Sequence, residues 1–225
     1  MKRSLLIAIC ALTSFGATMA DVTLEVVEKA PPAELSDAIK PLLDGKAYIV
    51  SNGDGVLYEF WFVKEISAGK ATEDAKATLE SIPGMALLGA VTVPVKEHSI
   101  DFRDDAVDPG AYTVRMGIQP TDGNHLGTAP TNFFALMVPA AKDTKVEGFG
   151  DNDEMVEVAQ EGTVAEHPPI LYMQPETTPG EYPRIGDGNW NKLQWKLLCL
   201  KLPVKAGDAK GSLKFNIVVE GHGEV

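Results

Sequence analysis

Apolar and polar side chains alternate with a period of two in two segments of the chain, and this pattern is typical of half-buried β-strands. In residues 111–119 the apolar set is Tyr112, Val114, Met116 and Ile118, and in residues 212–220 it is Leu213, Phe215, Ile217 and Val219. We expect these side chains to line one hydrophobic core.

Seven further short apolar segments are bounded by Gly, Pro, Asn or Asp, residues that favour turns. Together with the first two they predict strands over residues 22–28, 47–50, 56–64, 86–93, 111–119, 133–138, 170–173, 193–202 and 212–220. Helical spacing predicts a short helix over 32–43, and residues 72–81 fit a second helix or a covered strand. The sequence therefore predicts an all-β chain: an antiparallel β-sandwich, immunoglobulin-like or jelly-roll-like, with one or two short helices.

The first twenty residues have the pattern of a bacterial secretory signal. Lys2 and Arg3 precede an apolar run over 5–12, and Thr18 and Ala20 occupy the positions that a signal peptidase reads. We expect cleavage after Ala20 and a periplasmic or extracellular mature protein with no membrane span, because no other segment is long and apolar enough.

Residues 21–225 show no internal repeat or linker, so they predict a single domain. Within it, residues 142–166 are rich in Asp and Glu and poor in large apolar side chains. We expect this stretch to be a poorly ordered acidic loop or insertion, because it buries little apolar surface. The Pro-rich residues 176–187 predict a second exposed excursion.

Charge and cysteine content exclude several classes of protein. The chain has 32 acidic and 20 basic residues and a formal net charge of -12, so nucleic acid and anionic membrane surfaces are unfavourable partners. Its two cysteines, Cys10 and Cys199, supply neither a disulfide framework nor a Cys-rich zinc site. Cys199 lies in the apolar run 197–200, which favours a buried thiol.

A strand followed by a polar loop carries the candidate ligand-binding residues. The strand over 111–119 presents Arg115 and Gln119 on its polar face, and the loop after it contains Asp122, Asn124 and His125. Loops held by a rigid scaffold commonly carry binding groups. The alternative is local turn chemistry, which explains every residue of the loop except His125.

The same segment resembles a group of exported bacterial proteins. Its residues Tyr112-Thr113-Val114-Arg115 match a Tyr-Thr-x-Arg strand, and residues 119–127 match a Gln-Pro-x-Asp-Gly-x-His-x-Gly loop. The similarity extends to residues 218–222 and to the strand that contains Trp61. It implies a shared β-sandwich fold and a shared pair of histidines, and it implies no activity.

Histidines separated in sequence can converge on neighbouring strands. His98, His125 and His222 are therefore candidate ligands of a metal such as copper, with Met116 or Met137 as a thioether ligand. Unconnected surface histidines are the alternative. Calcium is a further hypothesis, because acidic side chains cluster at Asp101, Asp104, Asp105 and Asp108, although their spacing fits no calcium loop.

No motif for a catalytic serine, a phosphate-binding loop or a zinc peptidase occurs, and no cofactor follows from the sequence. We therefore expect a non-catalytic binding protein or an accessory protein of the cell envelope. Two alternatives stay open. One is a protein that binds copper, zinc or calcium, or a metal-dependent hydrolase, that uses His125 with His98 or His222. The other is a subunit that self-assembles through exposed strand edges.

Overall fold

A computed structural model of the chain describes residues 21–69, 76–95, 99–120 and 127–223. The described part is all-β, with one α-helix and two short 3₁₀ turns. Its strands are β1 (Thr23–Glu28), β2 (Lys46–Asn52), β3 (Gly55–Phe62), β4 (Ile66–Ser67), β5 (Lys76–Ala77), β6 (Leu87–Val93), β7 (Gly110–Ile118), β8 (Phe133–Pro139), β9 (Ile170–Pro175), β10 (Arg184–Trp190), β11 (Leu193–Ala206) and β12 (Ala209–Glu220). The helix is α1 (Asn152–Gln160), and the 3₁₀ turns are Lys40–Leu42 and Leu79–Ser81.

Ten of the strands form one hydrogen-bonded path in the order β1-β2-β3-β6-β7-β8-β9-β12-β11-β10, and every pairing along it is antiparallel. The short strands β4 and β5 add to β11 and β12 in parallel. The sheet curls until β1 and β10, its first and last strands, approach each other.

The strand predictions are confirmed at all nine positions, with ends that differ by a few residues. Sequence analysis missed β4 and β10, whereas β5 lies in the segment 72–81, for which a strand was one of the two alternatives. Strand β10 begins inside the segment 176–187, which we had expected to be an exposed excursion. Its residues Gly186 and Gly188 lie against Cys199 and Leu197 of β11 without room for a Cβ, so close packing rather than β-propensity places a strand here.

The interior of the curled sheet holds the main hydrophobic core. The predicted core faces of β7 and β12 both point into it, and seven of the eight predicted side chains are buried. Ile118 is the exception, because it is the last residue of β7 and its side chain is 42% exposed where the strand leaves the core.

A second hydrophobic cluster covers the outer face of β8, β9, β11 and β12. It includes Phe134, Tyr172 and Cys199, which alternate along their strands with interior residues. These strands are therefore apolar on both faces, which explains the continuous apolar run of β8.

The helix corrects the expectation for residues 142–166, because α1 forms within this acidic stretch. The Asp151 side chain accepts a hydrogen bond from the Glu154 backbone N–H at 2.9 Å and so caps the helix. Met155 and Ala159 are fully buried in the outer cluster.

The helix expected over 32–43 does not form. Leu35 and Ile39 are buried as its apolar spacing predicts, but the backbone makes turns and the 3₁₀ turn Lys40–Leu42, because Pro41 interrupts helical hydrogen bonding. Of the candidate 72–81, the first residues lie outside the described part, and the rest contain the short β5 and a 3₁₀ turn. No helix in the described part is long and apolar enough to cross a membrane.

Candidate ligand-binding cleft

A cleft of about 540 Å³ opens at one end of the curled sheet. Its volume is within the range of about 300–1,000 Å³ that small-molecule sites occupy. Most of its lining is apolar: Pro41, Leu42, Val63, Pro83, Gly84, Met85, Ala86, Leu87 and Val146. The polar lining residues are Lys64, Glu65, Ser67 and Glu147.

The backbone of the cleft is strained at Met85. This residue has φ of 67°, in the left-handed region that costs a residue with a Cβ about 1–2 kcal/mol. Two hydrogen bonds fix the conformation: the Met85 N–H donates to the Met116 carbonyl at 2.8 Å, and its own carbonyl accepts from Arg115 Nη1 at 2.8 Å. Strain of this kind persists only where the surroundings enforce it, and it is concentrated at functional sites.

Arg115 is the group that enforces it. Its side chain is 0% exposed, and its Nε and Nη2 donate to the two carboxylate oxygens of Asp143 at 2.5 and 2.8 Å. The remaining N–H groups reach the carbonyls of Met85, Lys145 and Val146. All five donors of the guanidinium therefore have protein acceptors.

These contacts correct the interpretation of Arg115 as a ligand-binding residue. The side chain lies on the face of β7 opposite to Val114, as the alternation requires, but residues 139–150 cover that face. Gly148 packs directly on the guanidinium, where a Cβ would come within 2.8 Å of Nη1, and its φ is 81°. Arg115 supports the cleft from behind and does not point into it.

Asp143 completes this support. Its carboxylate also accepts a hydrogen bond from Thr113 Oγ1 at 2.5 Å, and its side chain is 1% exposed. It belongs to the stretch 142–166 that the sequence suggested was poorly ordered. The loop that carries Val146 and Glu147 into the cleft is therefore anchored through a buried ion pair.

Comparison with protein-family models, with curated proteins and with solved structures gives no match.

The polar side chains of the cleft lie at its exposed rim. Lys64 Nζ donates to the Pro41 carbonyl at 2.7 Å, which leaves two of its three donors available. Glu65 and Glu147 are exposed. An apolar lining with charged groups at the rim suits a molecule that has an apolar body and a polar end.

Of the predicted ligand-binding loop, Asp122, Asn124 and His125 lie outside the described residues. Gln119 is described and partly buried; its backbone N–H donates to the Asn132 carbonyl at 2.8 Å and its Nε2 contacts Thr128 Oγ1 at 3.5 Å. In the described part of the chain Gln119 and Arg115 share no hydrogen-bond partner, and the role of the loop stays a prediction.

Among the metal candidates, His98 and His125 also lie outside the described residues. His222 is half-exposed, and its Nδ1 is 3.5 Å from Asp104 Oδ2. Met116 and Met137 are fully buried in the interior core. Within the described part of the chain, no three His, Cys, Asp or Glu side chains are arranged to hold a metal ion. Metal binding through His98 and His125 stays a prediction.

Asp101 has a structural role that the calcium hypothesis did not anticipate. Its buried carboxylate accepts hydrogen bonds from the backbone N–H groups of Arg103, Asp105 and Ile170, and from the Arg103 guanidinium. Burial raises the pKa of Asp101, and the positive charge of Arg103 partly offsets that rise. The carboxylate ties the loop before β7 to β9.

Cys199 is buried, as its sequence context favours. Burial first, and then the neighbouring Glu176, raise the pKa of the thiol to about 12. The thiol is therefore protonated at neutral pH, whereas a nucleophilic cysteine reacts as the thiolate.

Sequence reasoning missed the cleft residues themselves. Pro83-Gly84 is recognisable as a turn, but nothing in the sequence marks Met85 for a left-handed conformation, which Gly or Asn usually adopts. The capping pair Asp151 and Glu154 was a readable signal for α1.

Proposed function

We propose that the chain is an exported, non-catalytic protein that binds a small amphipathic molecule in the cleft at the end of its sheet. The observation that carries the proposal is the strained Met85 in the cleft wall, held by the fully buried Arg115. A strained backbone persists only where its surroundings hold it, and such residues are concentrated at functional sites. The strain at Met85 therefore favours a function for the cleft.

The chemistry of the lining supports this class of ligand. Nine of the thirteen lining residues have no charged or hydroxyl side chain, so an apolar body gains contact there. Lys64 and the exposed carboxylates of Glu65 and Glu147 lie where a polar end would reach solvent. Export is supported by the basic, apolar and small-residue pattern of residues 1–20.

The test is binding of two naphthalene dyes, neutral N-phenyl-1-naphthylamine and anionic 1-anilinonaphthalene-8-sulfonate, followed by fluorescence. Gly84 is a suitable position for filling the cleft, because a Cβ there meets only the Ile118 Cδ1 at 3.9 Å and its backbone is not left-handed. We expect Gly84→Phe to abolish binding of both dyes, with Gly84→Ala as the matched control that leaves the volume open.

Lys64→Gln separates the apolar part of the site from its charged rim. We expect it to weaken the anionic dye several-fold and to leave the neutral dye unchanged. If Gly84→Phe keeps its fold by circular dichroism and still binds both dyes as the unmodified chain does, the cleft is not the binding site.

The two-layered sandwich that the sequence predicts is part of the same proposal. Its support is that the interior core draws side chains both from β2 to β8 and from β9 to β12. Backbone hydrogen bonds between β1 and β10 in a crystal structure of the chain would make the architecture a closed barrel.

A further inference from the structure

The outer face of the β11–β12 hairpin carries four exposed lysines, which we call the lysine face: Lys201, Lys205, Lys210 and Lys214. Register places Lys201 directly opposite Lys214 and Lys205 directly opposite Lys210. Directly paired residues of an antiparallel ladder share a face and have Cβ atoms about 4.5–5.5 Å apart. Two like-charged pairs therefore lie on one side of a single hairpin.

The interior core fixes this arrangement. Leu202, Val204 and Leu213 point inward and are buried, so the alternating lysines have to point outward. Like charges directly opposite each other on a sheet destabilise it. The hairpin thus carries an electrostatic cost that packing alone does not require.

Direct ion pairs do not relieve this cost. The chain has 32 of them, yet within the described residues no carboxylate lies within 4.0 Å of the four amines. Lys214 instead lies over the ring of Tyr182, with Nζ 5.5 Å from the ring centroid, and Arg184 lies against the same ring at 5.4 Å. Arg184 is itself paired with Glu176 at 3.1 Å, so the four lysines carry the unpaired positive charge of this surface.

From this juxtaposition we propose that the lysine face binds a linear polyanion, whose phosphate or carboxylate groups lie along the hairpin between the two lysine pairs. The face is about 13 Å long, at about 3.3 Å per residue, and only two strands wide. A thin chain fits this shape, whereas a membrane surface would also meet the acidic remainder of the protein.

The net charge of -12 does not oppose such local binding. Salt screens charges beyond about 8 Å at physiological ionic strength, so a chain in contact with four lysines is attracted by them more than it is repelled by distant carboxylates. The lysine face is separate from the cleft, and this inference does not depend on the ligand proposed for the cleft.

The experiment measures binding of the purified chain to inorganic polyphosphate and to polygalacturonate, by calorimetry between about 50 and 200 mM salt. The variants are Lys201→Gln with Lys214→Gln, and Lys205→Gln with Lys210→Gln. We expect each double variant to bind roughly tenfold more weakly and to lower the salt slope by roughly 0.7 for each lysine removed.

A matched control removes the same charge elsewhere. Lys46 and Lys192 are exposed and outside the hairpin face, and the double change of both to Gln should leave binding within about twofold. Lys201→Gln alone should raise the urea midpoint, because it relieves one like-charge pair. This second measurement reports on the electrostatics of the face without any ligand.

Binding of both polymers assigns the site to polyanions in general, and binding of one alone assigns it to phosphate or to acidic glycan. The proposal is overturned if neither polymer binds, if the control weakens binding as much as the face variants do, or if only vesicles of anionic phospholipid bind. If the lysines serve only to keep strand edges from aggregating, neither polymer should bind and the variants should be less soluble than the unmodified chain.

Discussion

Removal of the Asp143 carboxylate should be among the most damaging single changes to this protein. Asp143→Ala deletes three hydrogen-bond acceptor contacts, two from Arg115 and one from Thr113, and leaves the guanidinium buried with bonds to carbonyls only. Leaving one partner of a buried ion pair uncompensated costs about 3–5 kcal/mol. That is a large part of the roughly 5–15 kcal/mol that stabilises a typical domain.

The assay is equilibrium urea unfolding, with the slope of the transition checked for constancy. The neighbouring pair Lys142 and Glu161 supplies the control, because their amine and carboxylate are 2.8 Å apart but both side chains are about half exposed, at 53% and 51%. Lys142→Met should change the free energy of unfolding by at most about 1 kcal/mol.

A compensated variant separates charge from packing. Arg115→Met combined with Asp143→Leu removes both charges, and we expect it to be more stable than Asp143→Ala, because it leaves no uncompensated buried charge. It also removes the hydrogen bonds to the carbonyls of Met85, Lys145 and Val146, so it should be less stable than the unmodified chain. If Asp143→Ala loses less than about 1 kcal/mol, or no more than Lys142→Met, the buried pair does not anchor the loop and the reasoning is wrong.

Three further outcomes follow from single residues. Met85→Gly should be about 1 kcal/mol more stable than Met85→Ala in urea unfolding, because both lose the side chain and only Ala keeps a Cβ at positive φ. The pKa of Asp101 is raised in the folded protein, so its contribution to stability is full at acid pH and declines as pH rises through that pKa. The free energy of unfolding of the unmodified chain, measured relative to that of Asp101→Asn, should therefore fall from pH 4 upward, and a difference that does not change with pH would contradict this. Cys199 should resist iodoacetamide at pH 8 in the folded state and react on unfolding, as read by mass spectrometry, whereas rapid native labelling would mean that the thiol is accessible.

The strands could be read from the sequence because their pattern is local. Val114 and Phe215 alternate with polar neighbours, and a strand that buries one face shows this directly. The continuous apolar run of β8 also indicated a strand, but nothing in the run indicates that a helix from residues 152–160 covers its outer side. Acidic composition suggested disorder there, although the buried Met155 and Ala159 and the partly buried Val156 and Val158 pack the helix against the outer cluster.

The candidate site could not be read in the same way, because its determinants are tertiary. Alternation correctly separates Arg115 from Val114, but whether the polar face meets solvent or another segment depends on where residues 139–150 pack. Met85 has no local signal at all, since its left-handed backbone is imposed by Arg115, which is 30 residues away in sequence. Hydrogen bonds between residues far apart in the chain leave no trace in the periodicity of apolar and polar residues.

The pairing of β9 is divided between two neighbouring strands. Its first half pairs with β8 through three residue pairs and its second half with β12 through three more, whereas the β11–β12 hairpin has eleven. Along the antiparallel path of the described part, only the three pairs between β9 and β12 join β10-β11-β12 to the other strands, and the short β4 and β5 add two pairs each. Amide hydrogen exchange should find a partial opening between β9 and β12, below the free energy of global unfolding, in which the hairpin stays protected while β9 exchanges.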